Sequence, residues 1–309
     1  MRVVYRWEAD VRMILLTMVG CGGGTTDDDD DGGGLILGDD SNAPSMEDCA
    51  SWLADSQADS LPHECSTDEY RNHLLATGGA VFPVGDGRYY TAWFPLDWDG
   101  QTVIYAVHGS MGCADMMTDL FTAASLGSYA VLSVQFRTEG AEDYDDADTL
   151  YDNLTALHQE AATHCPIEVA TGVYYGYSRG GARGYDIAAI DAVGAGLFDA
   201  VVIDSGTSNL SQLAGWDTES LSGERLWLWC GSRDIAPTDS SRTTCDVMSE
   251  DMAPWVTDHA GTLDALVEEE GGCHGIFFGD CDVDCNCKRR NTDDLGESLP
   301  MLFDYIDGL

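Results

Sequence analysis

The chain has 309 residues, and its 55 acidic against 14 basic side chains leave a formal charge of −41, with Lys288 the only lysine. Such a surface excludes nucleic acid as a partner, because holding a phosphate backbone requires clustered Lys and Arg. Behind the front segment about 265 residues remain, enough for one sizeable core, and no internal repeat divides them.

At the start, Arg2, Arg6 and Arg12 precede the short apolar run "MILLTMVG", which is too brief to cross a bilayer and reads as a targeting segment over residues 1–20. Its end, "MVGC", resembles a bacterial lipobox. That resemblance implies cleavage before Cys21 and lipid on its thiol, a membrane link through that anchor alone; plain secretion is the alternative. Residues 21–44, "CGGGTTDDDDDGGGLILGDDSNAP", are too rich in Gly and Asp to form a core and read as a solvated tether. Residues 45–309 then form the globular domain. Its first part, 45–78, holds two short helical patterns flanking Cys49 and Cys65, which are expected to be bonded to each other.

From residue 79 on, strand-like and helix-like segments alternate. "RYYTAWFPL", "TVIYAVHG", "YAVLSVQFRT", "EVATGVYYGYS", "LFDAVVIDSG", "RLWLWCGSRD" and "LDALVEEE" read as seven strands. Between most of them lie helical stretches, among them "ADMMTDLFTAASLG" and "DADTLYDNLTALHQEAATH". The alternation implies an α/β domain with a mostly parallel sheet covered on both faces, whose sites form at the carboxyl ends of the strands.

"GYSRGG" places Ser178 between small residues at such a strand end, with a helix pattern following. A serine hydroxyl is a weak nucleophile until a base lies within reach and a tight turn lifts it clear of the sheet, and G-x-S-x-G supplies that turn. Asp234 follows the strand "RLWLWC" and His274 follows "LDALVEEE", giving the order Ser, Asp, His. Asp204, after "VVI", is the rival acid. Six other histidines compete with His274, but His108 belongs to a glycine-bearing loop, His63 and His73 precede the sheet, His158 and His164 fall in or after a helix, and His259 precedes the last strand. The loop "HGSMG" can turn a backbone N–H toward a developing oxyanion.

With these residues in order, the stretch from Val81 to Leu309 resembles the α/β-hydrolase family, and more narrowly its extracellular feruloyl-esterase and polyhydroxyalkanoate-depolymerase branch. The resemblance implies Ser178 as nucleophile, His274 as general base and acid, Asp234 as the carboxylate orienting it, and the N–H groups of Ser110 and Arg179 as the oxyanion hole. It implies a serine esterase acting on short-acyl or polymer-borne esters, monomeric and without a cofactor. A peptidase of the same fold and a non-catalytic surface-anchored binding protein are the alternatives.

Only about twenty residues, Ser205 to Glu224, separate the fifth and sixth strands, which leaves little room for a lid. Tyr177, Trp216 and Trp93 are candidates for an aromatic substrate platform; Arg179 is read as pairing with a surface acid in preference to a substrate carboxylate. Apart from Cys21, the ten cysteines form an even set compatible with five disulfides in an exported protein. Cys230 is expected to pair with Cys245, and Cys273 with Cys281, Cys285 or Cys287. The cluster "CDVDCNC" lacks paired CxxC spacing, so no metal is assigned. Asp280, Asp282 and Asp284 alternate there and could hold calcium, but the glycine and distal glutamate of an EF-hand loop are missing, and an acidic loop tied by disulfides is preferred.

Overall fold

The structure, a computed structural model, describes residues 43–55, 68–85, 88–98, 100–124, 128–137, 144–167, 170–290 and 295–309. The targeting segment, the tether up to Asn42 and the Cys21 lipidation site lie outside the described residues. Pro44–Leu309 forms one compact unit.

Helices α1 (Met46–Asp55) and α2 (Asp68–Ala76) lead into strands β1 (Ala80–Gly85), β2 (Arg88–Trp93) and β3 (Thr102–Val107). Next come α3 (Ala114–Ala124), β4 (Ala130–Val134), α4 (Ala147–Ala162), β5 (Thr171–Tyr177), α5 (Arg179–Val193) and β6 (Ala200–Asp204). The last third holds β7 (Arg225–Gly231), α6 (Thr244–Val247), α7 (Ala253–Asp258), β8 (Thr262–Glu269), a small ribbon of β9 (Phe278–Gly279) and β10 (Lys288–Arg289), and α8 (Ser298–Ile306). Eight strands form one sheet in the order β1-β2-β4-β3-β5-β6-β7-β8. β2 runs antiparallel to both its neighbours, β1 and β4, and every pairing from β4 to β8 is parallel.

Strand composition explains this layering. β4 and β6, "AVLSV" and "AVVID", are buried along their whole length, as a parallel sheet covered on both faces requires. Successive side chains go to opposite cores. Val103, Tyr105 and Val107 pack with residues of α1, α4 and α5, whereas Ile104 and Ala106 pack with those of α2, α3 and α8. The edge strand β8 is half-exposed and carries Asp264, Glu268 and Glu269, charges that discourage pairing with another chain.

All seven strands expected from the sequence form. An eighth, β1, precedes them; Pro83 interrupts its pattern, yet proline is tolerated on an edge strand because the missing N–H faces outward. Cys49 is not bonded to Cys65. It bridges to Cys165 at the end of α4, 116 residues away, with Cα atoms 4.5 Å apart. α1 packs on the α4 side of the sheet, where Trp52 stacks on His164, so tertiary packing and not proximity in the chain selects the partner; Cys65 lies outside the described residues. The Cys230–Cys245 pair forms as expected, Cys273 pairs with Cys285, and Cys281 pairs with Cys287. These bonds belong to an oxidising compartment. Among the described residues, no helix is long and apolar enough to cross a membrane.

Candidate active site

Ser178 lies between β5 and α5 at φ 53° and ψ −109°, a conformation that L-residues avoid at a cost of about 1–2 kcal/mol. Small neighbours permit the turn. A Cβ on Gly176 would stand 2.6 Å from the backbone of Gly180, and one on Gly180 would stand 2.5 Å from the Val107 carbonyl oxygen. The Ser178 N–H donates to the Asp204 carbonyl at 2.8 Å, while its own carbonyl accepts from the Ala182 N–H at 2.8 Å. The turn is therefore pinned on both sides.

Gly109 of the "HGSMG" loop sits against this serine, since a Cβ on Gly109 would come within 2.8 Å of Ser178 Cβ. His108 anchors the loop from within the core. Its Nδ1 donates to the Gly109 carbonyl at 2.8 Å and its Nε2 accepts the Phe136 N–H at 3.3 Å. Burial lowers its pKa to about 4, and it stays neutral in the tautomer those two bonds need. Met111, at φ 59°, donates its N–H to the Tyr144 hydroxyl at 2.9 Å. The Ser110 and Arg179 N–H groups make no hydrogen bond to another described residue, and Ser110 and Arg179 both line the cavity in front of Ser178.

Asp234 and His274 meet across the ends of β7 and β8. The His274 Nδ1–H donates to Asp234 Oδ2 at 2.8 Å, the carboxylate side chain only 8% exposed and the imidazole 35%. Their loops are laced together: Ser232 N–H to the Glu269 carbonyl at 3.0 Å, Arg233 N–H to the Gly272 carbonyl at 2.9 Å, and Gly271 N–H to Ser232 Oγ at 2.8 Å. The Cys230–Cys245 bond spans the segment that carries Asp234, and Cys273, next to His274, is bonded to Cys285. Burial works against an imidazolium at His274, but the hydrogen bond and charge of Asp234, with a contribution from Asp204, outweigh it and raise the pKa above 6.5.

Asp204, the rival acid, is not the partner of His274 Nδ1. It lies wholly buried behind the histidine loop, where its Oδ2 accepts from the Tyr175 hydroxyl and from the Ile276 N–H at 3.0 Å, and its Oδ1 accepts from Ser205 Oγ at 3.0 Å. Burial pushes its pKa up to about 6. Ser205 Oγ in turn accepts the Gly275 N–H at 3.0 Å. Asp204 and Ser205 thus hold the two residues after His274, a supporting role that the position "VVIDS" did not disclose in sequence.

Of the proposed aromatic platform little remains. Trp93 is a core residue at the end of β2, 8% exposed, with its indole N–H bonded to the Thr77 carbonyl; sheet order puts β2 three strands from β5. Tyr177 packs its ring 5.2 Å from His274 and 6.1 Å from Phe278, so it buttresses the histidine. Trp216 donates its indole N–H to Asp186 at 2.8 Å and packs on the core. The cavity, about 290 Å³, is instead lined by Ser178, Arg179, Arg183, Asp186, hydroxyls of the β6–β7 segment and Thr238. Between β6 and β7 the only helical piece is one 3-10 turn, Leu213–Gly215, so the segment walls the cavity without a lid helix. In the acidic loop, Asp280 pairs with Lys288 while Asp282 accepts from the Asp284 and Asn286 N–H groups. These carboxylates serve the loop's own turns.

Among solved structures the same architecture recurs. A highly thermostable carboxyl esterase from Bacillus coagulans superposes with a TM-score of 0.53 at 10% identity, over 74% of this chain and 97% of that one. An enzyme from a Medee basin deep-sea metagenome library, described as an α/β hydrolase, gives 0.52 at 12% identity, covering 73% and 94%. A putative dienelactone hydrolase from Klebsiella pneumoniae gives 0.51 at 13% identity, covering 75% and 98%. The chain has the α/β-hydrolase fold. No protein-family model and no curated protein sequence matches it. In this fold the Ser178 turn follows β5, the loops after β7 and β8 carry Asp234 and His274, and the loop after β3 sits against Ser178.

Proposed function

We propose that the protein is an exported serine hydrolase cleaving carboxylic esters through Ser178, His274 and Asp234. The observation that carries this reading is the 2.8 Å bond from His274 Nδ1 to the shielded Asp234 carboxylate. It fixes the proton on Nδ1 and leaves the Nε2 lone pair free, in a domain whose one strained G-x-S-x-G serine stands at the nucleophile position of the fold. In the reaction, Ser178 Oγ attacks the ester carbonyl as Nε2 takes its proton. The Ser110 and Arg179 N–H groups stabilise the oxyanion, and the imidazolium returns the proton to the leaving alcohol. Water, deprotonated by the same nitrogen, then releases the acid from Ser178. With no lid helix among the described residues and a cavity of about 290 Å³, short acyl groups or chain ends of a polymer fit better than a long fatty chain. The disulfides, together with the lipobox-like "MVGC", support export and a lipid anchor at Cys21.

Hydrolysis of p-nitrophenyl acetate, butyrate and palmitate by the purified chain tests the reading. The acetate and butyrate should turn over well above the palmitate, and Ser178→Ala should lose about a thousandfold or more in kcat/KM. Undiminished turnover in Ser178→Ala would refute it.

A further inference from the structure

The helix that follows the nucleophile presents a stripe to the cavity: Arg179, Ala182, Arg183 and Asp186, at i, i+3, i+4 and i+7. Two cations in that stripe run against every local preference. The chain has only 14 basic residues against 55 acidic ones. The first turn of α5 contains Arg179 and no acidic residue, although the amino end of a helix favours negative charge. Six other cations find acids, Arg88, Arg225, Arg242, Lys288, Arg289 and Arg290 each holding a carboxylate within 4.0 Å, while Arg233 reaches the Gly271 and Asp282 carbonyls. Among the described residues, Arg179 and Arg183 hold none. The acid expected to pair with Arg179 is not found among the described residues.

Arg179 lies with its guanidinium carbon 4.2 Å from the centroid of the Tyr144 ring. Stacking fixes the plane of the group, and no other described residue bonds its N–H edge, which suits a planar, doubly accepting anion. Tyr144 is the residue whose hydroxyl holds the Met111 N–H of the oxyanion loop, so the stacked arginine and that loop share one support. Asp186, the one acid on the cavity wall, accepts from the Trp216 indole and feels the Arg183 charge without an ion pair within 4.0 Å. The rest of the wall sets the Thr207, Ser208 and Thr238 hydroxyls and the Gln212 amide beside Ala182 and Pro237.

We propose that Arg179 and Arg183 form a carboxylate-binding subsite beside Ser178, and that the preferred substrate is an ester bearing a free carboxylate. The proposal rests on the esterase reading and narrows its substrate class. It also reconciles the −41 charge with an anionic substrate: at physiological salt the field of distant acids decays within about 8 Å, while a bidentate guanidinium contact acts at hydrogen-bond range.

Matched ester pairs test it, and they separate an acyl-side from an alcohol-side carboxylate. Mono-p-nitrophenyl adipate is compared with its methyl ester, and 4-acetoxybenzoate with methyl 4-acetoxybenzoate. In one pair the anionic member should be favoured about 10- to 100-fold in kcat/KM, mostly through KM. Arg183→Gln should bring that ratio to near one, and Arg183→Lys should restore part of it. A preference for the neutral member in both pairs, or a ratio that survives Arg183→Gln, would overturn the proposal. A calorimetric titration of Ser178→Ala with benzoate and benzamide reads the subsite without turnover. Arg183-dependent binding of benzoate with no ester hydrolysis would uphold the subsite and reject the esterase reading, and equal binding of benzoate and benzamide would reject the subsite itself.

Discussion

Ser178 and His274 are the single residues on which the proposed chemistry rests. A non-glycine residue at φ 53° persists only because two backbone hydrogen bonds and the close packing of Gly109, Gly176 and Gly180 hold it there. In the proposed reaction His274 must be neutral to accept the Ser178 proton; burial lowers its pKa, but the Asp234 bond and charge, with Asp204 adding to them, raise it above 6.5. The sign follows directly: kcat/KM should fall as pH drops through a midpoint above 6.5. Asp204→Asn removes one of the charges that favour the imidazolium and loosens the bonds to Ser205 and Ile276. The acidic limb should then move to lower pH, with a loss of about tenfold in kcat/KM; a pH-rate profile checks both, and an unmoved limb would mean that Asp204 only supports the loop mechanically. Much of this was legible in sequence, because the motif residues are local. Ser178, Asp234 and His274 each follow a strand by fewer than six residues, and strand ends are where α/β sites form. Arg183 and Asp186 follow Arg179 at helical spacing, a signal that periodicity carries. The place of Trp93 depends on sheet order, which no local pattern encodes.

At the scale of elements, the disulfides divide into two kinds by where they act. Cys49–Cys165 joins α1 to the end of α4 across 116 residues, whereas Cys273–Cys285 spans 12 residues and begins beside His274. In the chain-entropy model these loops differ in stabilisation, about 5 against about 3 kcal/mol. Replacing both cysteines of the first pair by alanine should therefore lower Tm more while leaving the pH-rate profile in place. The same change at Cys273 and Cys285 should reduce kcat more steeply than Tm, because it frees the loop that holds the imidazole. Melting curves and steady-state rates on the two double variants check the contrast, and equal effects on kcat would contradict it. Helix and strand positions were readable because periods of 2 and 3.6 are written in the chain. β1 was not, since a six-residue edge strand containing Pro83 has little periodicity to show. The partner of Cys49 was hidden for another reason: packing of α1 on the α4 side of the sheet decides it.

For the whole molecule, the parallel sheet places the Ser178 turn and the loops after β3, β7 and β8 at one edge, and the chain carries a formal charge of −41. Self-repulsion of this size opposes the compact state and is screened by salt. Tm should therefore rise between 0.05 and 1 M NaCl, and a flat or falling Tm would mean that the acidic groups are already compensated in the fold. The sequence shows the charge, but the burial of Glu224 shows only in the structure: desolvation, with Asp191 and Asp199 nearby, raises its pKa to about 8. A carboxyl whose folded pKa is raised stabilises the fold below its ordinary value of 4.5, and that contribution is lost as pH climbs toward 8. Among all these, the claim that Ser178 is an activated nucleophile is tested most directly by treating the purified chain with a fluorophosphonate and mapping the adduct by mass spectrometry. The account expects one adduct, on Ser178, forming at least a hundredfold more slowly in His274→Ala; modification of a different serine, or labelling indifferent to His274, would contradict it.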